Sequence, residues 1–241
     1  MNSFDSILED YNTILGEFND EAIGAVKSLL EEEKVNFSPL LIYGNVGVGK
    51  THILKAVEAY MKANGNDERS IIYFDNRGLA EFLCASQELN EYQKMEYFDA
   101  ASIIILDDVQ QYAHLNRTQN YILDFISKSR ELKIPIIVAG NNHPNSVSSG
   151  FNPSLLSKLS GGLAVKIDVP DVKSKIDFIN GFAKTKGLTV EMKIMEKVID
   201  YFESDFSILQ GVINKLEFYS GLNGNDVVEN LILNHIFQKE Y

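Results

Sequence analysis

The stretch GNVGVGKT, Gly44 to Thr51, decides the fold. It follows PLLIYG, a short apolar run ending in glycine, which reads as a buried strand. It opens into THILKAVEAYMKANG, where apolar residues recur at helical spacing until Gly65 stops them. A strand before and a helix after are the context in which G-x-x-x-x-G-K-[ST] becomes a phosphate cradle. Gly44, Gly47 and Gly49 let the backbone turn, so that the N–H groups of Asn45, Val46, Val48 and their neighbours point inward at phosphate oxygens. The helix starting near Lys50 adds its positive end. Lys50 reaches the β- and γ-phosphates of a nucleotide in this reading, and the Thr51 hydroxyl is a Mg²⁺ ligand. His52 follows on the same helix and is counted with the cradle, although its own reading is structural.

Working outward, SIIYFD (70–75), SIIILDDV (102–109), IPIIVAGNN (134–142) and AVKIDV (164–169) read as further strands, separated by helical stretches. The unbroken apolar character of 102–109 predicts a strand buried on both faces. Strands alternating with helices predict a parallel, doubly wound α/β sheet. After Pro170 the pattern changes to four successive amphipathic helices, the last at 226–238. The division is therefore a nucleotide-binding α/β domain over 1–170 and a helical lid over 171–241. Residues 1–20 read as a polar linker, Asp20 as the cap of a helix over 20–34, and Cys84 as a small buried hydrophobe.

Two further elements belong with the cradle. Asp107, after four apolar residues at a strand end, is placed to hold Mg²⁺ through water. Asp108 beside it is the candidate general base. Asn141, at the carboxyl end of the next strand, faces the crevice where ligands of open α/β sheets bind, and an amide there orients the attacking water or touches the γ-phosphate.

Composition narrows the rest. The formal charge of −12 disfavours an extended DNA-binding face, and the densest basic stretch, Lys173 to Lys186, is interleaved with acids. One cysteine, no basic leader and no long apolar run predict a cytoplasmic protein without a membrane span.

These motifs with a helical lid resemble AAA+ ATPases. SFDS, SPLLIYGNVGVGKTHIL, IIILDDVQ and IVAGNNHP narrow the resemblance to the DnaA/Hda family, over nearly the whole chain. The resemblance implies a P-loop sheet with a C-terminal α-helical lid, ATP or ADP with Mg²⁺ as cofactors, and a regulatory role in bacterial replication initiation through protein contacts. It implies a DnaA-type initiator or a replicative helicase or its loader as partner, and leaves a homo-oligomer open. No helix-turn-helix follows the lid, so no sequence-specific DNA binding is expected. Residues 1–20 hold no glutamine for a clamp-binding motif of the Hda kind, and 89–101 holds one lysine among acids, so single-strand binding there is not expected.

The family also completes its site with two arginines, a finger given to a neighbour's nucleotide and a sensor in the lid. Arginine occurs here at 69, 77, 117 and 130, and the remaining 111 residues hold none. By resemblance, Lys158 falls at the finger position and Ser207 at the sensor position. Lysine keeps the charge but loses the bidentate fork. The expectation is nucleotide binding with slow or partner-dependent hydrolysis. The alternatives are a helicase-loader-like adaptor and an active homo-oligomeric remodelling ATPase.

Overall fold

Five short strands pair into one parallel sheet in the computed structural model, which describes residues 2–31, 38–85, 100–146, 150–202 and 205–223. They are β1 (Leu40–Tyr43), β2 (Ile71–Phe74), β3 (Ile103–Leu106), β4 (Ile136–Gly140) and β5 (Leu163–Lys166), in spatial order β2-β3-β4-β1-β5. β1 is an interior strand, with Leu41 opposite Val138 of β4 on one side and Ala164 of β5 on the other. Every residue of β3 and β4 is buried, as unbroken Ile, Val, Leu and Ala demand of a parallel sheet covered on both faces. β5, at the edge, is only partly buried. The chain leaves β1 for the far edge at β2, then returns through β3 to β4 beside β1, so the carboxyl ends of β1, β3 and β4 share one rim.

The helices of this unit are α1 (Phe4–Asp10), α2 (Asp20–Glu31), α3 (Lys50–Ala63), α4 (Asn76–Ala85), α5 (Asn116–Leu132) and α6 (Pro153–Ser160). Leu41, Leu79, Ile104, Phe125, Ile126 and Val138 belong to its main core cluster.

Three expectations are corrected. Residues 4–10 form a helix in place of a polar linker. Ser3 caps it, Phe4 and Leu8 are buried, and Phe4 meets Tyr60 of α3 edge-on at 5.7 Å. Asp20 lies in the first turn of α2, with the carbonyl of Asn19 taking the Ile23 N–H. Cys84 is exposed, because α4 turns Leu79, Phe82 and Leu83 toward the core and leaves position 84 off that face.

A second unit comprises Val169–Tyr241 with the short segments Ile14–Phe18 and Val46–Val48. Its described helices are α7 (Val172–Thr185), α8 (Met192–Phe202) and α9 (Phe206–Asn223). Asp171 caps α7 by accepting the Ser174 N–H at 2.7 Å. Ile179, Ala183, Met195, Val198, Leu209 and Ile213 form its own core. The helix expected at 226–238 lies outside the described residues. Among those residues, no helix is long and apolar enough to cross a membrane.

Candidate functional site

The cradle starts where β1 ends. Gly44 N–H donates to the Gly140 carbonyl at 3.2 Å, which ties the loop's first residue to the end of β4. Gly47 and Gly49 hold φ of 79° and 105°, left-handed values that a side chain resists. Gly49 is the residue before α3, so the N–H groups of Lys50, Thr51 and His52 have no partner within the helix and form a donor set for an anion. Lys50 is buried, and its ammonium donates to the carbonyls of Gly44 and Asn45 at 2.8 and 2.7 Å. Burial lowers its pKa, and the carboxylates of Asp108 and Asp107 oppose that shift. The loop tip, Val46–Val48, groups with the second unit. There Gly47 O accepts the Phe206 N–H at 3.0 Å, and a Cβ on Gly47 would lie 2.2 Å from Asp205 Cγ.

Asp107 is 3% exposed at the end of β3, and both its oxygens are engaged. Oδ2 accepts the Tyr73 hydroxyl at 3.0 Å, and Oδ1 accepts the Asp108 backbone N–H at 2.9 Å. Asp108 has φ 52° and ψ 45°, left-handed for a residue that is not glycine. Its Oδ1 accepts Gln110 Nε2 at 2.8 Å. Asn141 follows β4, with its Oδ1 buried and without a hydrogen-bond partner. A buried acceptor left open is rare, and it suits a donor such as water at this rim. The acidic and hydroxyl oxygens of Asp107 and Thr51 are hard donors of the type Mg²⁺ takes while keeping several of its own waters. The residues present therefore fit both a nucleotide triphosphate and its magnesium.

Lys158 lies in the last turn of α6, whose two ends are fixed. At the start, Gln119, fully buried, donates to Tyr112 O and Gly150 O and accepts the Asn152 N–H. Asn152 in turn caps the helix through Ser154 N–H at 2.8 Å. At the other end Arg130 donates to Gly161 O at 3.2 Å. The Lys158 ammonium makes no hydrogen bond or salt bridge with the described residues. Ser207 is exposed in the first turn of α9.

The side chain of His52 is engaged with the amino-terminal segment, while its N–H remains in the donor set. Its Nε2 lies 3.0 Å from Thr13 Oγ1, and its ring meets Tyr11 edge-on at 6.1 Å. It fastens the amino-terminal segment to α3. The residue keeps an exposed edge, yet burial of the ring depresses its pKa, with a hydrogen bond to the Tyr11 backbone opposing. A depressed histidine disfavours the charged form in the fold. The stability it contributes is present above the ordinary value of 6.5 and is lost as pH falls below it. Between pH 7.5 and 5.5, His52→Gln is expected to lose less melting temperature than the parent chain. Parallel melting curves for the two would reject this.

Tyr73 and Gln110 join the site through contacts that no sequence motif announces. Tyr73 is the one polar residue of β2 and half-buried, which is the signal a lone hydroxyl in an apolar strand offers. Burial first, then Asp107, holds its phenol well above the ordinary range, so it stays a donor. Lys55 Nζ lies 3.6 Å from the centre of its ring.

The strand order, the glycine cradle and the acids on the neighbouring rim define a P-loop domain of the AAA+ type. The model of the bacterial DnaA ATPase domain matches residues 7–166, and the chain belongs to that family. It is similar to the chromosomal replication initiator protein DnaA of Bordetella pertussis, 24% identical over 90% of this chain and 46% of that protein. To the initiator of Nautilia profundicola it is 27% identical, over 88% and 48%. The chain thus spans about half the length of the relatives it matches. Among solved structures, domain III of the Thermotoga maritima replication initiation protein DnaA superposes with a TM-score of 0.81 at 24% identity, covering 93% of this chain and 96% of that one. AMPPCP-bound DnaA from Aquifex aeolicus gives 0.76 at 26% identity, over 95% and 68%. A replication initiator DnaA bound to AMPPCP and single-stranded DNA gives 0.74 at 27%, over 90% and 66%.

Proposed function

We propose that the chain binds ATP or ADP with Mg²⁺ and uses the bound nucleotide as a conformational cofactor in bacterial replication initiation, acting through protein contacts. Hydrolysis is slow unless a partner supplies a cation. Nucleotide binding draws support from AMPPCP in two similar structures and from the cradle itself. The observation that carries the reading is a contrast in residue types. Lys50, Asp107, Asp108 and Asn141 are all present at the carboxyl rim of the sheet, while by the family resemblance Lys158 and Ser207 stand at the two arginine positions.

Asp108 accepts the proton of the attacking water and Asn141 Oδ1 orients that water. Lys50 would stabilise charge on the terminal phosphates, and Asp107 and Thr51 would hold magnesium, which would supply neutralisation of phosphate charge when bound. A net charge of −12 supports a protein partner over a long DNA track, and the partner is a DnaA-type initiator whose domain shares this fold. The setting is cytoplasmic. The division into a nucleotide-binding domain over 1–170 and a lid over 171–241 goes with this reading. A homo-oligomer draws support from Lys158, whose ammonium on an anchored helix is free to meet a neighbour's nucleotide.

Single-turnover ATP hydrolysis, alone and with a DnaA initiator added, tests the proposal. The expected result is ATP binding with slow turnover alone. Lys158→Arg combined with Ser207→Arg is expected to raise the rate by about 10²-fold or more, since a finger arginine is worth about 10³–10⁵. A parent chain as fast as a well-equipped motor, or a double variant as slow as its parent, overturns the reading.

A further inference from the structure

We propose that Gln110 is a positioning residue for Asp108: its amide fixes one carboxylate oxygen so that the other is presented for the reaction. The inference rests on the reading of Asp108 as the base. Asp108 opens a 3₁₀ turn, Val109–Tyr112, and the Gln111 N–H closes it on the Asp108 carbonyl at 2.9 Å. Gln110 lies inside this turn, and its side chain folds back to donate Nε2 to Asp108 Oδ1 at 2.8 Å. No described residue hydrogen-bonds Oδ2.

The backbone at Asp108 is equally constrained. Its left-handed conformation is held from one side by Asp107 Oδ1 on its N–H and from the other by the turn. Strain kept in this way by over-determined surroundings marks a group whose orientation matters. Loss of the Gln110 contact leaves the carboxylate free to rotate about its last bond.

The other half of the amide argues for function over stability. Gln110 Oε1 is buried and has no hydrogen-bond partner, which costs stability. The turn packs closely against the end of β4. A Cβ on Gly140 would lie 3.1 Å from Val109 Cγ2 and 3.9 Å from Gln110 Oε1, so the end of β4 leaves room for the turn to approach. An apolar side chain of the same length would fill this place without the unsatisfied oxygen. The amide is there for its donor.

Gln110→Met keeps the length and removes both the donor and the orphaned acceptor. The parent and variant are compared by single-turnover ATP hydrolysis with Mg²⁺, by affinity for a fluorescent ATP analogue, and by melting temperature. The expected result is a rate lower by about tenfold or more, since small misplacements of a reacting group carry large kinetic costs. Affinity stays within about twofold. The melting temperature stays within about 3 °C, because losing the bond to Asp108 offsets the removal of the buried acceptor. A lower rate with affinity and stability unchanged separates positioning from a structural role. Gln110→Glu, which sets an acceptor against Asp108, is expected to slow the reaction as well and to lower the melting temperature. A Met variant that turns over at the parent rate or faster overturns the proposal alone, as does one in which rate, affinity and stability fall together. A parent chain that binds ATP and never releases product removes Asp108 as the base, and this proposal falls with it.

Discussion

Lys50→Ala weakens ATP binding by about 10²–10³-fold while the fold survives. The ammonium already makes two short hydrogen bonds, to Gly44 O and Asn45 O, in a position 6% exposed. These partners are the backbone of the cradle itself, so the charge stands where the phosphates of a nucleotide would run. Bound nucleotide would take this donor onto its phosphate oxygens, where two charge-assisted hydrogen bonds would be worth about 3–4 kcal/mol together, and each 1.4 kcal/mol is tenfold in affinity. The stability cost is smaller, because burial works against the charged amine and its removal relieves that desolvation. Calorimetric titration with a slowly hydrolysed ATP analogue reads the first effect and circular dichroism the second. An affinity within fivefold of the parent would place the phosphates elsewhere.

Gly162→Ala is expected to be the most damaging small substitution in the sheet. A Cβ there would come 2.0 Å from the Pro39 carbonyl oxygen and 2.8 Å from Pro39 N and Cδ. The obstacle is backbone, so no rotamer change relieves it. The Leu163 N–H donates to the same Pro39 oxygen at 3.1 Å, and the β1–β5 register begins one residue later with Leu40 opposite Leu163. Relief requires β5 to move off β1. Overpacking of this kind costs about 3 kcal/mol, or about 6–12 °C in melting temperature for a chain of this size. A fall under 2 °C in a thermal melt would show that the edge strand shifts freely.

The legible part of this fold is its middle. The cradle, the acids after β3 and the asparagine after β4 each follow an apolar run, and apolar runs alternating with helical ones leave little choice but a parallel sheet. The family resemblance then made the missing arginines visible. What stayed hidden depends on contacts between distant residues. Phe4 and Leu8 look like stray apolar residues in a polar segment until Tyr60 is brought against them. His52 reads as part of the cradle by position, but Thr13, 39 residues away, takes its ring nitrogen. Gln110 is two residues from Asp108 in sequence, yet only the left-handed backbone at Asp108 folds its amide back onto the carboxylate. Tyr73 gave a fainter signal, a hydroxyl in an apolar strand, that names no partner. Residues 89–99 and the helix expected at 226–238 lie outside the described residues.

The bond between the Phe206 N–H and the Gly47 carbonyl makes one amide proton a reporter for the loop. Phe206 is the first residue of α9, where a helix has no internal acceptor to offer its N–H. Its protection from exchange with solvent deuterium therefore depends on a carbonyl in the middle of GNVGVGKT. Isotope uptake at this single peptide group, followed with and without nucleotide, reads the state of the loop directly in a chain that needs no label.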